Sequence, residues 1–265
     1  MIAPAPPVWK VVGASVRGSG HEADGTPGQD AHAAAVVGEW LVAAVCDGAG
    51  STALGGVGAQ AGAEAVVEAL TTACRAAPAG PPGGARAYWH RAALDAVKWA
   101  RRAVERALRD AEGGTDDRGV PLFERAHATL VAAVARPTGG VFLHVGDGMG
   151  AAVEGGAVRA ASRPANGQYA NETFFFTQSD WDGHLRLTAF EAPFDLVVLM
   201  SDGGAALATE RDGGLHAGFL DPVTRYLDGV DAGAGREALR ETLAAEQTHL
   251  VTDDDKTVVW ARLAP

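Results

Sequence analysis

Three apolar runs in this chain each end on an aspartate followed by glycine, and a fourth aspartate cluster opens the last apolar run. The segments are WLVAAVCDGAG (Trp40 to Gly50), GVFLHVGDGMG (Gly140 to Gly150), FDLVVLMSDGG (Phe194 to Gly204) and TDDDKTVVWARL (Thr252 to Leu263). A short unbroken apolar run reads as a strand buried on both faces, and the glycine lets the backbone turn away beside the carboxylate. The pattern therefore delivers Asp47, Asp147, Asp202 and Asp254 to the ends of buried strands. Asp-Gly is also ordinary turn chemistry, since both residues tolerate the backbone that tight turns need. Asp24, Asp182, Asp212 and Asp228 fit that simpler description, because no continuous apolar strand precedes them.

With 265 residues, 47% hydrophobic and 21% charged, the chain can bury the core of one large domain or two small ones. A formal net charge of −11 with no Lys/Arg-rich block argues against a nucleic-acid partner held through phosphates. Six scattered tryptophans read as packing residues, with no stacked-base platform. Cys46 and Cys74 are too few for a disulfide framework, and Cys46 lies within an apolar strand, so a reducing cytoplasm fits. The opening MIAPAPPVWK lacks the pattern of an export signal, and no run is long enough to span a bilayer. The Ala-, Gly- and Arg-rich, Lys-poor composition suggests a GC-rich genome.

Val8 to Val16, Ala31 to Val37 and Trp40 to Cys46 read as strands, the last two joined as a hairpin at Gly38-Glu39. Helical patterns follow at Gly55 to Cys74 and Arg86 to Ala111, separated by a Pro/Gly break. A second hairpin is predicted from Ala126 to Ala135 and Gly140 to Val145, then short strands at Ala151 to Val153 and Val158 to Ala160. An irregular stretch, Asn166 to Asp182, precedes strands at Leu185 to Phe190 and Leu196 to Met200. Helices at Gly204 to Ala208, Phe219 to Leu227 and Gly235 to Gln247 lead to a closing strand, Thr257 to Leu263. This order suggests sheets covered by helices rather than βαβ alternation. Gly56 to Ala61 matches a dinucleotide fingerprint in letters only, because it does not directly follow a strand; helix packing accounts for its small residues.

Hard divalent cations such as Mg²⁺ and Mn²⁺ take oxygen ligands, and carboxylates converging from Asp47, Asp202 and Asp254 could hold a pair of them. Two such ions about 3.5–4 Å apart can share a hydroxide and aim it at phosphorus or carbonyl carbon. Five motifs, in order, then resemble the metal-dependent Ser/Thr protein phosphatases of the 2C type, in particular a bacterial branch. They are GASVRGSGH with TPGQDA, VAAVCDGAGS, HATLVAAV with HVGDGMGAAVEGG, LVVLMSDGG and DDKTVV, together running from about Val11 to Leu263.

The resemblance implies an α+β fold: two packed β-sheets forming a sandwich flanked by α-helices, a four-layer αββα arrangement with the metals at one end. It implies one catalytic domain over residues 1–265, with a core of about 8–263. It maps the metal-bridging aspartate onto Asp47 and a ligand carbonyl onto Gly48. Asp202 and Asp254 take the further core ligands, Asp30 the early acidic position, and Asp147 a weaker third-metal site. Phosphate gripping falls to Arg17, whose guanidinium can pair bidentately, or to His21, because the spacing to the acidic motif is longer here.

The chain departs from the family pattern at three positions. Gln29 stands where many relatives carry Glu, and Ala49 where animal relatives carry a histidine, so leaving-group protonation falls to water or another residue. Asp255 replaces the usual Asn and is expected to be a solvated carboxylate, while His127 and His144 look structural. The implied activity is hydrolysis of phosphoserine and phosphothreonine in proteins with two core Mn²⁺ or Mg²⁺ ions, in signalling opposite a Ser/Thr kinase. The rivals are a catalytically weak regulatory relative that binds a phosphoprotein, and a hydrolase of small phosphoesters.

Overall fold

The computed structural model describes residues 9–52, 54–112, 122–164, 173–210 and 214–263; Val8, Asp212 and residues 166–172 of the irregular stretch lie outside them. Among the described residues, ten strands form two antiparallel five-stranded sheets. One sheet runs in the order β2 (Asp30–Val37), β3 (Trp40–Asp47), β4 (Leu130–Arg136), β5 (Gly139–Val145), β8 (Arg186–Glu191). The other runs β1 (Trp9–Val16), β10 (Lys256–Leu263), β9 (Leu196–Met200), β6 (Met149–Glu154), β7 (Ala157–Ser162).

The strand period of two sorts each central strand between two cores. Along β3, Val42, Ala44 and Cys46 pack toward α2 (Gly55–Arg75) and α3 (Arg86–Glu112), while Leu41, Ala43 and Val45 face the opposite sheet. Along β10, Val258 and Trp260 pack toward α5 (Asp202–Ala208), α6 (Ala217–Gly229) and α7 (Ala232–Ala244), while Val259 and Ala261 meet the first sheet. Both faces of the inner strands are thus covered, which is why they read as unbroken apolar runs and not as alternating ones. The result is the expected αββα sandwich.

The strand ends converge at one end of it. Asp30 lies opposite Asp47 in the β2–β3 register, and Met200 is flanked by Met149 on β6 and Val258 on β10. The chain therefore leaves β3 and β9, and enters β6 and β10, at the same rim.

Some boundaries differ from the sequence expectation. β4 starts at Leu130 and not at Ala126; before it the antiparallel pairing with the exit of β3 continues only as an isolated bridge, Gly48 opposite Ala128, with the Ala49 N–H donating to the His127 carbonyl and the Thr129 N–H to the Asp47 carbonyl. The hairpin turn is then only Pro137-Thr138. α5 begins two residues early, at Asp202, because the Ser201 hydroxyl caps it by accepting from the Gly204 N–H. Two short helices, α1 (Ser19–Ala23) and α4 (Trp181–His184), carry too little periodicity to be seen in sequence.

Gly58 of the fingerprint-like stretch and Gly62 just after it are contact points of α2. A Cβ on Gly58 would lie 2.2 Å from the Ala126 carbonyl oxygen, and one on Gly62 2.4 Å from Phe176 Cζ. Gly58→Val is accordingly expected to lose about 1–3 kcal/mol of unfolding free energy in urea titrations. An unchanged midpoint contradicts this close contact.

Candidate metal centre

Carboxylate oxygens of Asp47, Asp147 and Asp202 lie within 4.8 Å of one another at the rim. Asp47 is held at the end of β3 through its backbone: its N–H donates to Thr129 Oγ1 at 3.1 Å, and its carbonyl accepts from the Thr129 N–H at 2.8 Å. Gly48 is wedged beside α2, with no room for a Cβ, which would sit 2.3 Å from the Gly55 carbonyl carbon. Asp202 opens α5 and accepts from the Gly203 N–H at 2.6 Å. Asp254 precedes β10 and accepts from the Asp255 N–H at 2.8 Å.

Asp30 is joined to this group from below. Its Oδ2 accepts from Ser201 Oγ at 2.7 Å, and that hydroxyl also accepts from the Thr257 N–H at 3.0 Å. One serine therefore ties the start of β2, the exit of β9 and the entry of β10 together.

Burial is the largest influence on the carboxyls of Asp30, Asp47, Asp202 and Asp254, and repulsion from neighbouring carboxylates adds to it. It pushes Asp30 up to about 7, with Asp255 and Asp202 contributing, against the lowering hydrogen bonds from Ser201 and Thr257. Asp202 rises to about 6 through burial and the charges of Asp254 and Asp147. Asp47 is raised well above the usual carboxylate range by burial, then by Asp30, Asp202, Asp254 and Asp147; Asp254 is raised chiefly by burial. Ion pairs between described residues go elsewhere. Oδ1 of Asp30 and Oδ1 of Asp147 are buried without a hydrogen-bond partner. Orphaned buried oxygens in an oxygen-only donor set fit a hard divalent cation, which would supply the missing partners and the missing charge.

Asp147 reaches the cluster from the β5–β6 turn, and its Oδ2 accepts from Thr173 Oγ1 at 2.6 Å. The expectation of a solvated Asp255 is overturned: its side chain is only 2% exposed. It accepts from the Gly18 N–H at 2.6 Å, from the Gln29 N–H, and from His21 Nδ1 at 2.9 Å, and the two N–H groups and His21 hold its carboxyl below the usual range despite burial. It pins α1 and the acidic loop beneath the rim, a task that an extended strand entry with alternating side-chain directions assigns to the residue after Asp254.

The same loop places the two candidate phosphate contacts. Arg17 Nη2 donates to the His21 carbonyl at 2.5 Å. His21, with Nδ1 on Asp255, directs Nε2 toward the loop after Asp47, where a Cβ on Gly50 would lie 3.7 Å away. Gln29 is turned aside to the Thr52 carbonyl at 3.3 Å. His127 and His144 are structural as expected, bonded to Thr177 and Ser162 respectively. Sequence reasoning missed Thr129, Thr173 and Ser201. A lone threonine in an apolar strand and a serine directly before Asp-Gly were the available signals for the first and last; Thr173 offered none.

The two-sheet sandwich thus carries at one rim a carboxylate cluster suited to divalent cations. The sequence profile of the protein phosphatase 2C family matches residues 17–244, and the chain belongs to that family. It is 28% identical over 268 residues to Serine/threonine-protein phosphatase 3 of Escherichia coli K12, covering 96% of this chain and 98% of that one. Its fold is similar to the catalytic domain of the phosphatase PstP in complex with two manganese ions, at TM-score 0.57, 16% identity, and coverage of 98% of this chain and 100% of that one. It is likewise similar to the serine/threonine phosphatase Stp1 from Staphylococcus aureus, at TM-score 0.59, 14% identity, and coverage of 97% and 96%.

The raised carboxyls set a pH dependence for the metal-free protein. The unfolded chain releases these protons near 3.8, while folded Asp202 and Asp30 keep theirs to about 6 and about 7. The folded state then binds more protons across that window, so stability falls as pH rises from about 4 to about 7. Mn²⁺ should reverse the loss, with a melting temperature that climbs with ion concentration by mass action. Thermal melts of an Asp47→Ala, Asp202→Ala variant should show no such climb; an unchanged climb places the metal elsewhere.

Proposed function

We propose that this chain is a metal-dependent phosphatase that hydrolyses phosphoserine and phosphothreonine in proteins, acting as one catalytic domain over residues 1–265. The observation that carries the reading is the convergence of Asp47, Asp147 and Asp202 within 4.8 Å on the rim of a protein phosphatase 2C fold. In this reading two Mn²⁺ or Mg²⁺ ions would be held by Asp47, which would serve both, by Asp202 and Asp254 for one, and by the Gly48 carbonyl with Asp30 for the other. Asp147 would serve a third, weaker ion. When bound, the ions supply an activated water-derived nucleophile and charge neutralisation for in-line attack on phosphorus.

The chain's own groups do the rest. Ser201 holds the Asp30 carboxylate and Thr129 the backbone of Asp47. Arg17 seats the phosphate, its guanidinium offering further donors beyond the one engaged by the His21 carbonyl. His21 is the second phosphate contact and the group placed to hold a proton for the leaving oxygen. Its Nδ1–H donates to Asp255, which leaves Nε2 facing the loop after Asp47; the proton for the leaving oxygen would be carried on Nε2 of the imidazolium form, whose charge Asp255 faces. This supplies what Ala49 does not.

Among the described residues no helix is long and apolar enough to cross a membrane. With the absence of a disulfide framework, this supports a cytoplasmic enzyme, and a phosphoprotein substrate supports bacterial signalling opposite a Ser/Thr kinase.

Mn²⁺-dependent phosphate release from a phosphothreonine peptide, set beside a small aryl phosphate, tests the activity. Asp47→Asn should lower turnover of both by at least about 10³-fold, several kcal/mol of transition-state stabilisation. Full turnover by that variant contradicts the two-ion reading. Turnover of the aryl phosphate alone points to a small-phosphoester hydrolase, and phosphopeptide binding without turnover to a regulatory relative.

The two phosphate contacts separate kinetically. Arg17→Ala should raise KM and slow turnover while leaving Mn²⁺ affinity unchanged. His21→Ala should slow phosphoserine hydrolysis far more than aryl phosphate hydrolysis, whose leaving group needs little protonation. Equal effects on both substrates remove the proton-donor role, and a KM effect confined to His21→Ala transfers the anchor to that residue.

A further inference from the structure

β1 and β2 are the edge strands of the two sheets on the same side of the sandwich, and they do not pair with each other. Between them runs a groove of about 600 Å³, walled by both strands and flanked by Gln60 of α2 and by Arg236 and Arg240 of α7. Its inner end reaches Asp30.

The ladder pattern shows which backbone groups line it. The Gly48 N–H donates to the Gln29 carbonyl, so in the same register Ala31, Ala33 and Ala35 exchange bonds with β3. The N–H and C=O groups of His32, Ala34 and Val36 then point off the sheet. At the metal end this row is closed, because His32 Nδ1 meets Ser15 Oγ at 2.8 Å and its ring covers Gly13. Farther along it is open: Ala34 is exposed and Val36 is 44% exposed. Residues 33–37 are all Ala or Val, without the charges or prolines that normally shield an edge strand.

Away from Asp30, the charge on the groove is the reverse of the protein's own. The chain carries a formal −11, yet the Lys, Arg, Asp or Glu residues lining the groove other than Asp30 are Arg236 and Arg240. Arg240 pairs with Glu237, whereas exposed Arg236 has no carboxylate partner among the ion pairs of the described residues.

From this geometry we infer that the groove docks an extended acidic segment of the phosphoprotein substrate, added as a strand to the edge of β2 with a carboxylate on Arg236. The inference rests on the phosphatase reading and adds to it a docking site separate from the metal rim. Main-chain bonds to Ala34 and Val36 would supply affinity, and Arg236 the preference for acid, as in other strand additions. Because the segment is tethered to the phosphorylated residue, its binding raises the local concentration of that residue at the rim without altering the chemical step.

The test uses a labelled octapeptide of alternating Val and Glu, and a phosphothreonine peptide with and without that octapeptide on a flexible Gly/Ser linker. Anisotropy should show the Val/Glu octapeptide binding and a Val/Lys version not binding. The tethered extension should lower KM about five-fold or more, with kcat unchanged. Arg236→Glu should abolish both effects. So should Ala34→Pro, which removes one outward N–H and no β3 bond. Both variants should turn over the short phosphopeptide as the parent does. The docking inference is overturned by equal binding of the Lys version, by no binding, or by a KM gain that survives Arg236→Glu. If the short phosphopeptide is not hydrolysed at all, the phosphatase reading fails, and anisotropy still decides the docking site.

Discussion

The repulsion among buried carboxylates is the constraint on which the site depends. Two carboxylates about 4 Å apart repel by roughly 1 kcal/mol in water and about 4 kcal/mol at an effective dielectric of 20. Here the oxygens of three lie within 4.8 Å, with Asp30 and Asp254 adding their fields to Asp47. Together with burial, this repulsion raises the carboxyls of Asp30, Asp47, Asp202 and Asp254 above their usual range. A fold can hold such a cluster only if the backbone beneath it is stiff. The fully covered strands β3 and β9, closed in by helices on one face and the other sheet on the other, provide that stiffness.

Rigidity is transmitted to the rim by a few short polar side chains. Ser201 links β2, β9 and β10, Thr129 holds the backbone of Asp47, and Asp255 gathers α1, Gln29 and His21 under the same rim. These contacts place the phosphate candidates Arg17 and His21 on the segment that Asp255 pins, so substrate contacts and metal ligands share one framework. Gln29 fits this arrangement as a loop clamp on Thr52 rather than as an acidic group at the ions.

Much of this was legible in the sequence because burial on both strand faces writes itself as unbroken apolar runs, and Asp47, Asp147 and Asp202 are the residues that end three of them. Their convergence depends on strand order, which local pattern does not encode; the sandwich was reached through resemblance of motifs. Asp255 was misjudged because a run of three aspartates looks solvated, and only the long-range partners Gly18, Gln29 and His21 bury it. α1 was invisible because its five residues carry no periodicity and are held by tertiary bonds to Asp253 and Asp255. The residues just before β4 have the composition of a strand, and the structure pairs them with the exit of β3 as an isolated bridge at Ala128 in place of a full strand.

The central claim is that the rim carboxylates exist to hold a pair of divalent ions. Anomalous X-ray diffraction at the manganese edge, from crystals grown with Mn²⁺, measures this most directly. The account predicts two strong peaks about 4 Å apart or closer, with Asp47 touching both and Asp202 and Asp254 on one of them. Crystals without manganese peaks at this rim, or with peaks coordinated by other residues, would contradict it.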